Sequence, residues 1–554
     1  MTDVRTAVNR HIEIWLDELA SIHATHKEEY IGALVKCTDR YALMPVPVIP
    51  FLRQNRHDLL AGIGVLLSRF LQIAPQVDCD DIITYSKALI ERQAELDLIE
   101  AGKLFRLQRM AGFEREGLFQ SEKISLNHYA IRAIIADTER FERQDEEWVV
   151  RRNRTKTQVS RNDVDQRIFK RLNNMNIHDY ASINAGELQI RAFDPELFTL
   201  SKMQASFLWS EYNESSSFPD DAVIGARTFG EWREICQTAA ANINMYLLYA
   251  GKAKAEKMTG AENLMNNLTR FVDNYFESGL FQVGPDDTRD FNTEDVHDVF
   301  FLSAEDAKRL YDEGEIPLPY GIKCGNGLVL PVFGYLGNMT YTLVNNLRSK
   351  FNRDWQAMVD LREPTLQAEL ANLFKDSNHT IGKWNLNITT LHGNTDTDGA
   401  IYEPESNCLY IFQLKCPDVW ARNLNQRRNR LHDLAKANQW IERINSWIEH
   451  TPKSDIVSGL ELNGAVEDIE GMTVRLFVLC QSDTRISTAT DIYNRDAAWI
   501  SWPRLQRLVL ECKTPDQSLE HAYNECAKLD VRQHVQTGKH TVFEFKNLLV
   551  DFYE

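Results

Sequence analysis

Apolar residues recur at intervals of three and four along most of the first 280 residues, the spacing that predicts amphipathic helices. The pattern is clearest over residues 81–110 and 126–150, and the segment 229–281 predicts two or more further helices. Strict alternation of apolar and polar positions, which is typical of half-buried strands, is scarce over this stretch. We therefore expect residues 1–300 to form a mainly helical region.

The pattern changes after an acidic segment at 285–298. From Pro317 onward glycine, proline and β-branched residues become frequent, and Gly325-Asn326-Gly327 between two apolar runs predicts a hairpin. Helical spacing returns over 345–361. We expect residues 301–360 to form a connector made of a β-hairpin and a helix.

The last part of the chain predicts a mixture of helices and strands. Pro364 suits the first turn of a helix over 364–375. The pattern then predicts strands at 384–391, 399–403 and 408–415, a long helix at 424–449, a strand at 473–480 and further helices. This order is typical of a mixed sheet covered by helices. We expect the chain to be α+β overall, with a mostly α-helical N-terminal region followed by an α/β domain with a central mixed sheet over 361–554.

Composition narrows the class of protein. The chain has 554 residues, of which 43% are hydrophobic and 26% charged, as in ordinary globular proteins. The longest apolar run, Leu59–Leu67, is far shorter than the roughly 20 residues that a membrane-spanning helix needs. The N-terminus lacks the basic segment followed by an apolar segment that is typical of a signal peptide. The nine cysteines include no CxxC pair. We expect a soluble, cytoplasmic protein that has no contact with a membrane.

The formal net charge is −18, yet basic residues cluster in two segments. Residues 151–171 carry eight basic and two acidic side chains, and residues 419–443 carry six basic and two acidic ones. Such clusters are typical of phosphate-backbone contacts, of docking to an acidic partner, or of a plain solvated helix face. The candidates for nucleic-acid binding are Arg422, Arg427, Arg428, Arg430, Lys436, Arg151, Arg152 and Arg154.

The most informative segment is 395–416, where polar residues interrupt two predicted strands. Asp398 stands at the start of one strand, and Gln413 and Lys415 lie two apart on the next, so both side chains point to one face of the sheet. Leu414 points to the other face. A lysine in an apolar strand needs a partner, and Asp398 is the expected one. Carboxylate oxygens bind Mg²⁺, and a lysine can orient water or neutralise charge on a phosphate.

At these residues the chain resembles the PD-(D/E)XK nuclease superfamily, whose fold is restriction-endonuclease-like, over roughly residues 361–510. Asp398 matches the motif aspartate, and Gln413-Leu414-Lys415 matches the tripeptide in its glutamine variant. The resemblance implies a catalytic set of Asp398, Gln413, Lys415 and a glutamate from the preceding helix. Glu369 is the preferred glutamate and Glu363 the alternative. The implied Mg²⁺ or Mn²⁺ ligands are Asp398, Gln413 and Glu369.

The resemblance implies a metal-dependent endonuclease, as in bacterial restriction or phage-defence effectors, with DNA as the preferred substrate and RNA as the alternative. The helical region would then recognise substrate, sense a signal, or form a homo-oligomer or bind a partner protein. Gln413 departs from the family pattern because an amide is a weaker metal ligand than an acid. The alternative is therefore a non-catalytic nucleic-acid-binding or scaffold protein with a degenerate nuclease fold. A third is an interaction protein that works through its helical half.

Overall fold

The computed structural model covers the whole chain and describes most of it. The described residues are 4–43, 50–73, 88–134, 144–184, 187–212, 218–261, 264, 268–272, 279–282, 291–324, 327–335, 339–390, 393–416, 424–481, 486, 492–527 and 540–553. Within them the chain is α+β, as the sequence pattern predicts. No helix of this part is long and apolar enough to cross a membrane.

Helices account for most of the N-terminal half and flank the sheet of the C-terminal half. The helices are α1 (Val4–Ile22), α2 (Lys27–Leu43), α3 (Pro50–Ile73), α4 (Ala88–Phe113), α5 (Gln144–Asn174), α6 (Pro195–Tyr212), α7 (Phe229–Ala255), α8 (Glu294–Phe300), α9 (Ala304–Glu313), α10 (Met339–Lys350), α11 (Asn352–Val359), α12 (Arg362–Phe374), α13 (Leu424–His450), α14 (Lys453–Gly459), α15 (Trp502–Glu511) and α16 (Ser518–Ala527).

The two longest strands, of eight residues each, lie in the C-terminal half. The strands are β1 (Phe119–Ser125), β2 (His128–Ala133), β3 (Ala181–Asn184), β4 (Glu187–Ile190), β5 (Val223–Ile224), β6 (Arg227–Thr228), β7 (Arg270–Val272), β8 (Phe301–Leu302), β9 (Gly321–Cys324), β10 (Gly327–Leu330), β11 (Thr380–Ile381), β12 (Leu386–Thr390), β13 (Gly393–Thr397), β14 (Gly399–Glu403), β15 (Cys408–Lys415), β16 (Thr473–Cys480), β17 (Ala497–Ser501), β18 (His540–Phe545) and β19 (Leu548–Tyr553).

The helical region has two hydrophobic cores. One lies among α1 to α4 and includes Tyr30, Leu66 and Phe113. The other is centred on α7, which begins with a capping box at Thr228 and buries most of its length, including Trp232. The basic segment 151–171 lies inside α5, so it is a polar helix rather than a loop.

The predicted helix over 126–150 is wrong in its first part, because residues 128–133 form β2. Tyr129 and Ile131, two residues apart on the strand, turn their side chains into the core beside α4. β2 pairs with β1 on one side and with β19, from the end of the chain, on the other. β2 and β19 are more than 400 residues apart, so their pairing leaves no local signal in the sequence. The apolar spacing over 126–150 therefore predicted a helix where a short strand forms.

The same sheet corrects the predicted domain boundaries. β18 and β19 belong to the expected 361–554 domain by sequence, but Phe543, Val550 and Phe552 pack into the core of α1 to α4. The chain therefore leaves the C-terminal domain after α16 and returns to the helical region. Residues 301–360 are likewise not a separate connector. β8, β9 and β10 form a sheet with β7, and their side chains enter both N-terminal cores. The β9–β10 pairing confirms the predicted hairpin.

The C-terminal domain is a five-stranded mixed sheet with helices on both faces. The strand order is β11-β14-β15-β16-β17, with β14 antiparallel to β15, and β16 and β17 parallel to it. One face carries Leu409 and Ile411 against α13. The other carries Tyr410, Phe412 and Leu414 against α12, α15 and α16. β14, β15, β16, α12 and α13 lie at or within two residues of their predicted positions.

Candidate functional site

Strand pairing places Asp398 directly beside Gln413. In the antiparallel register of β14 and β15, Gly399 stands opposite Phe412, and the Asp398 N–H donates to the Phe412 carbonyl at 3.0 Å. A side chain at position 399 would collide with the ring of Trp384, because a Cβ there would lie 2.1 Å from a ring atom. Glycine therefore lets the chain pass under Trp384 at the residue that follows the acid.

The Asp398 carboxylate accepts two hydrogen bonds on the same oxygen. The Gln413 side-chain amide and the Leu414 backbone N–H both donate to Oδ2. Gln413 is predicted to be a metal ligand through its amide oxygen, but its amide nitrogen faces Asp398 instead. A buried carboxylate next to an amide attracts the N–H end. In the structure Gln413 orients the acid, and its role as a ligand stays a prediction.

The two faces of β15 separate as the sequence predicts. Gln413 is buried and Lys415 half-buried on the side that Leu409 and Ile411 turn to α13, while Leu414 packs on the opposite face. Lys415 is the one residue of its strand that is not fully buried. Its positive charge lowers the pKa values of both Asp398 and Glu363. The lysine thus lies at the end of the strand, where the sheet opens to solvent.

The helix that precedes the sheet contacts Asp398 through Gln367. The Gln367 side-chain amide donates to the Asp398 carbonyl at 3.0 Å and to Asn385 Oδ1 at 2.6 Å. Glu363 precedes Gln367 by four residues, so the two side chains share one face of α12. Glu369, six residues after Glu363, lies roughly 120° further round the helix.

Electrostatics also favours Glu363 as the second acid. Burial raises the pKa of Asp398 to about 7, and the neighbouring charges of Glu363 and Asp396 raise it as well. The Leu414 hydrogen bond and the Lys415 charge oppose that rise. The pKa of Glu363 is also raised, first by burial, while Lys415 lowers it. Of the two predicted glutamates, Glu363 is the one whose charge raises the pKa of Asp398, and the choice between Glu363 and Glu369 stays a prediction.

The carboxylates of Asp398 and Glu363 are the type of ligand that a hard cation prefers. Mg²⁺ prefers oxygen ligands, keeps several waters, and is held in many sites by one or two carboxylates. Asp398 and Glu363 supply two such groups, and a cation would offset the repulsion that raises the pKa of Asp398. Within the described part of the chain, no group of three acidic, histidine or cysteine side chains is arranged to hold a metal ion. A cation here would therefore complete its coordination with water or substrate oxygens.

The predicted basic surface of α13 needs one correction. Arg427 is only 3% exposed, forms an ion pair with the buried Glu116 carboxylate, and lies 5.4 Å above the Phe113 ring. It joins the C-terminal domain to the helical region and cannot face nucleic acid. Its neighbour Arg428 is exposed, as is Lys436. Arg430 is half-buried, and Arg422 lies outside the described residues.

The basic segment of α5 is close to the C-terminal domain. Arg151 and Arg154 are exposed, Arg152 is half-buried, and α5 packs against α15. The half-buried Arg504 and Arg507 of α15 add basic residues on this side, which the sequence analysis did not select. The amphipathic spacing of α15 was the available signal for them. Gln367 was also missed, although its four-residue spacing from Glu363 was readable.

Comparisons with known proteins give no match. No family model matches the chain, and searches of curated proteins and of solved structures find no similar protein.

Proposed function

We propose that the C-terminal domain hydrolyses phosphodiester bonds of nucleic acid with a divalent metal ion, Mg²⁺ or Mn²⁺, held by Asp398 and Glu363. The observation that carries this proposal is the convergence of two carboxylates and the Lys415 charge at one end of β14 and β15. The order of helix, strands and long helix around them agrees with the resemblance to PD-(D/E)XK nucleases.

Each side chain has a role that its surroundings favour. Gln413 and Leu414 donate to Asp398 Oδ2 and neither uses Oδ1, so the carboxylate is fixed in orientation. Gln367 holds the backbone at the same residue. Lys415 lies at the open end of its strand, where its ammonium can bind a phosphate oxygen or orient an attacking water. A bound metal ion would supply a Lewis acid and lower the pKa of that water.

Substrate would approach over exposed cations rather than over the protein at large, which is strongly acidic. Arg428 and Lys436 on α13, with Arg151 and Arg154 on α5, are the exposed candidates. DNA as substrate and a restriction or phage-defence role follow from the resemblance and belong to the same proposal. A cytoplasmic location, expected from the composition and the N-terminal sequence, belongs to it as well. So does assembly through the helical region, with a second copy or with a partner protein.

A cleavage assay tests the proposal. The purified chain is incubated with plasmid DNA, single-stranded DNA and RNA in the presence of Mg²⁺, Mn²⁺ or a chelator. Metal-dependent cleavage that disappears in Asp398→Asn is the expected result. No cleavage of any substrate, or cleavage that persists in Asp398→Asn, would contradict it.

A non-catalytic nucleic-acid-binding or scaffold role is the second candidate. One observation favours it: a neutral Gln413 occupies the place of a second acid and hydrogen-bonds to Asp398. Titration with Mn²⁺ separates the two candidates. Nucleic-acid binding without any Mn²⁺ binding would favour the scaffold.

A further inference from the structure

The first residue of α12 lies in the core of the helical region and not in the core of the sheet. Arg362 is 1% exposed, and its guanidinium carbon lies 4.6 Å from the ring centre of Phe218 and 5.2 Å from that of Trp355. The two rings meet edge to face, with centres 4.6 Å apart. Both rings belong to the core centred on α7.

The rest of α12 belongs to the C-terminal domain. Leu366, Leu370 and Phe374 pack against the sheet, and Gln367 hydrogen-bonds to the backbone of Asp398. α12 therefore joins two separate cores. Glu363 lies directly between them, one residue after the buried arginine and four before Gln367.

The arginine contact is strong enough to fix the start of the helix. A guanidinium over an aromatic ring is attracted by the electron-rich face of the ring, most strongly when water is excluded. A buried cation needs surroundings that replace the water it has lost, and the two rings are part of those surroundings for Arg362. Contacts with Phe218 and Trp355 of the helical region thus fix the position of the first turn of α12, which carries Glu363.

We propose that Arg362 is a positioning residue that aims Glu363 at Asp398, so that the site is complete only while the first turn of α12 is held against Phe218 and Trp355. This inference rests on the proposed function, because it concerns the same two carboxylates. It assigns to the helical region a direct part in forming the site. Phe218 and Trp355 are the residues through which that region acts.

Arg427 provides a matched control. It is also a buried arginine that joins the two parts of the chain, with Glu116 and Phe113 as its partners. It lies on α13, however, and not on the helix that carries Glu363. A variant at Arg427 weakens docking in general, and a variant at Arg362 also releases Glu363.

The experiment is a Mn²⁺ titration of the full chain, in which the electron paramagnetic resonance signal measures the concentration of free Mn²⁺. Residues that support metal ligands typically contribute about tenfold or more to metal affinity. We expect Arg362→Met and Glu363→Gln each to weaken Mn²⁺ binding about tenfold, and the double variant to bind no more weakly than Glu363→Gln alone. Arg427→Met should change the affinity by less than about twofold.

Two further variants keep the test decisive. Arg362→Lys retains a cation over the rings and should recover most of the affinity, which a role in packing alone would not produce. If Arg362→Met does not fold, Phe218→Leu weakens the same contact without changing α12 and should give the same loss and the same non-additivity with Glu363→Gln.

The outcomes separate this inference from the proposed function. Equal losses in Arg362→Met and Arg427→Met, or losses in Arg362→Met and Glu363→Gln that add, would overturn the inference and leave the site intact. Native Mn²⁺ affinity in Glu363→Gln would overturn the metal site itself, and the inference with it.

Discussion

Gln413 donates its side-chain amide to the carboxylate of Asp398, its direct neighbour across β14 and β15. A glutamate at position 413 would place two buried carboxylates in contact, where a glutamine supplies a hydrogen bond. Glutamine at position 413 therefore has a structural consequence: its hydrogen bond stabilises Asp398 without a cation.

Gln413→Glu should destabilise the chain in the absence of metal and make its stability depend on divalent cations. Leaving a buried polar group unsatisfied costs about 1–3 kcal/mol, and more for a charged one. Thermal unfolding with and without Mn²⁺ measures the effect, and Gln413→Met, which removes the hydrogen bond without adding charge, is the control. Equal responses of the two variants to Mn²⁺ would contradict the expectation.

Asp398 should make the folded state less stable as the pH rises. Its folded-state pKa of about 7 lies above the ordinary value of an aspartate, so its contribution to stability is complete below about pH 4 and is lost as the pH rises to about 7. The difference in unfolding free energy between the native chain and Asp398→Asn should therefore fall over this range and stay level above it. Urea unfolding at several pH values measures it, and a difference independent of pH would refute the assignment.

Glu363 and Glu369 offer a matched pair on one helix. Glu363→Gln should reduce metal-dependent cleavage about tenfold or more, because it removes one of the two carboxylates proposed to hold the metal ion. Glu369→Gln should leave cleavage close to the native rate, since its side chain points to another face of α12. Steady-state cleavage kinetics of both variants decide the matter. The reverse ranking would restore Glu369 as the site residue.

Arg427 and Arg428 are adjacent but should behave differently. Breaking a buried ion pair by removing one partner costs about 3–5 kcal/mol, so Arg427→Ala should lower the unfolding free energy by that order. Arg428→Ala should change stability by less than about 0.5 kcal/mol and should reduce the slope of log affinity for DNA against log salt by about one unit. Urea unfolding and DNA binding across salt concentrations measure the two effects. A flattened salt slope in a folded Arg427→Ala variant would contradict the burial of that residue.

Local patterns predicted the core of the C-terminal domain well. β14 and β15 occupy the predicted residues because their apolar runs are short and a run of turn residues separates them. The same pattern predicted that the strand face with Gln413 and Lys415 lies beside Asp398, but the partner that it predicted for Asp398 was Lys415, whereas Gln413 donates the hydrogen bond. The choice between Glu363 and Glu369 did not follow from the pattern, because it depends on which face of α12 meets the sheet. Gln367 settles that orientation, and its partner is a backbone carbonyl that no motif marks.

Contacts between distant segments were not predictable from local patterns. β2 depends on β19 for a partner, and Arg427 appears in sequence as one of several surface arginines. Its burial results from Glu116 and Phe113, which lie about 300 residues earlier in the chain. The sequence shows that an arginine lies in a basic run, but it does not show which arginines are buried. Only the structure distinguishes Arg427, which joins two parts of the chain, from the arginines that face solvent.

The most direct test of the central claim is the cleavage rate of Lys415→Ala. Lys415 is the cation at the open end of β15, and its removal should reduce metal-dependent cleavage by about two orders of magnitude or more while the fold, measured by thermal unfolding, is retained. Lys383→Ala, which removes an exposed lysine of the same domain paired with Glu461, is the control and should cleave at the native rate. Native cleavage by a well-folded Lys415→Ala variant would contradict the proposed site.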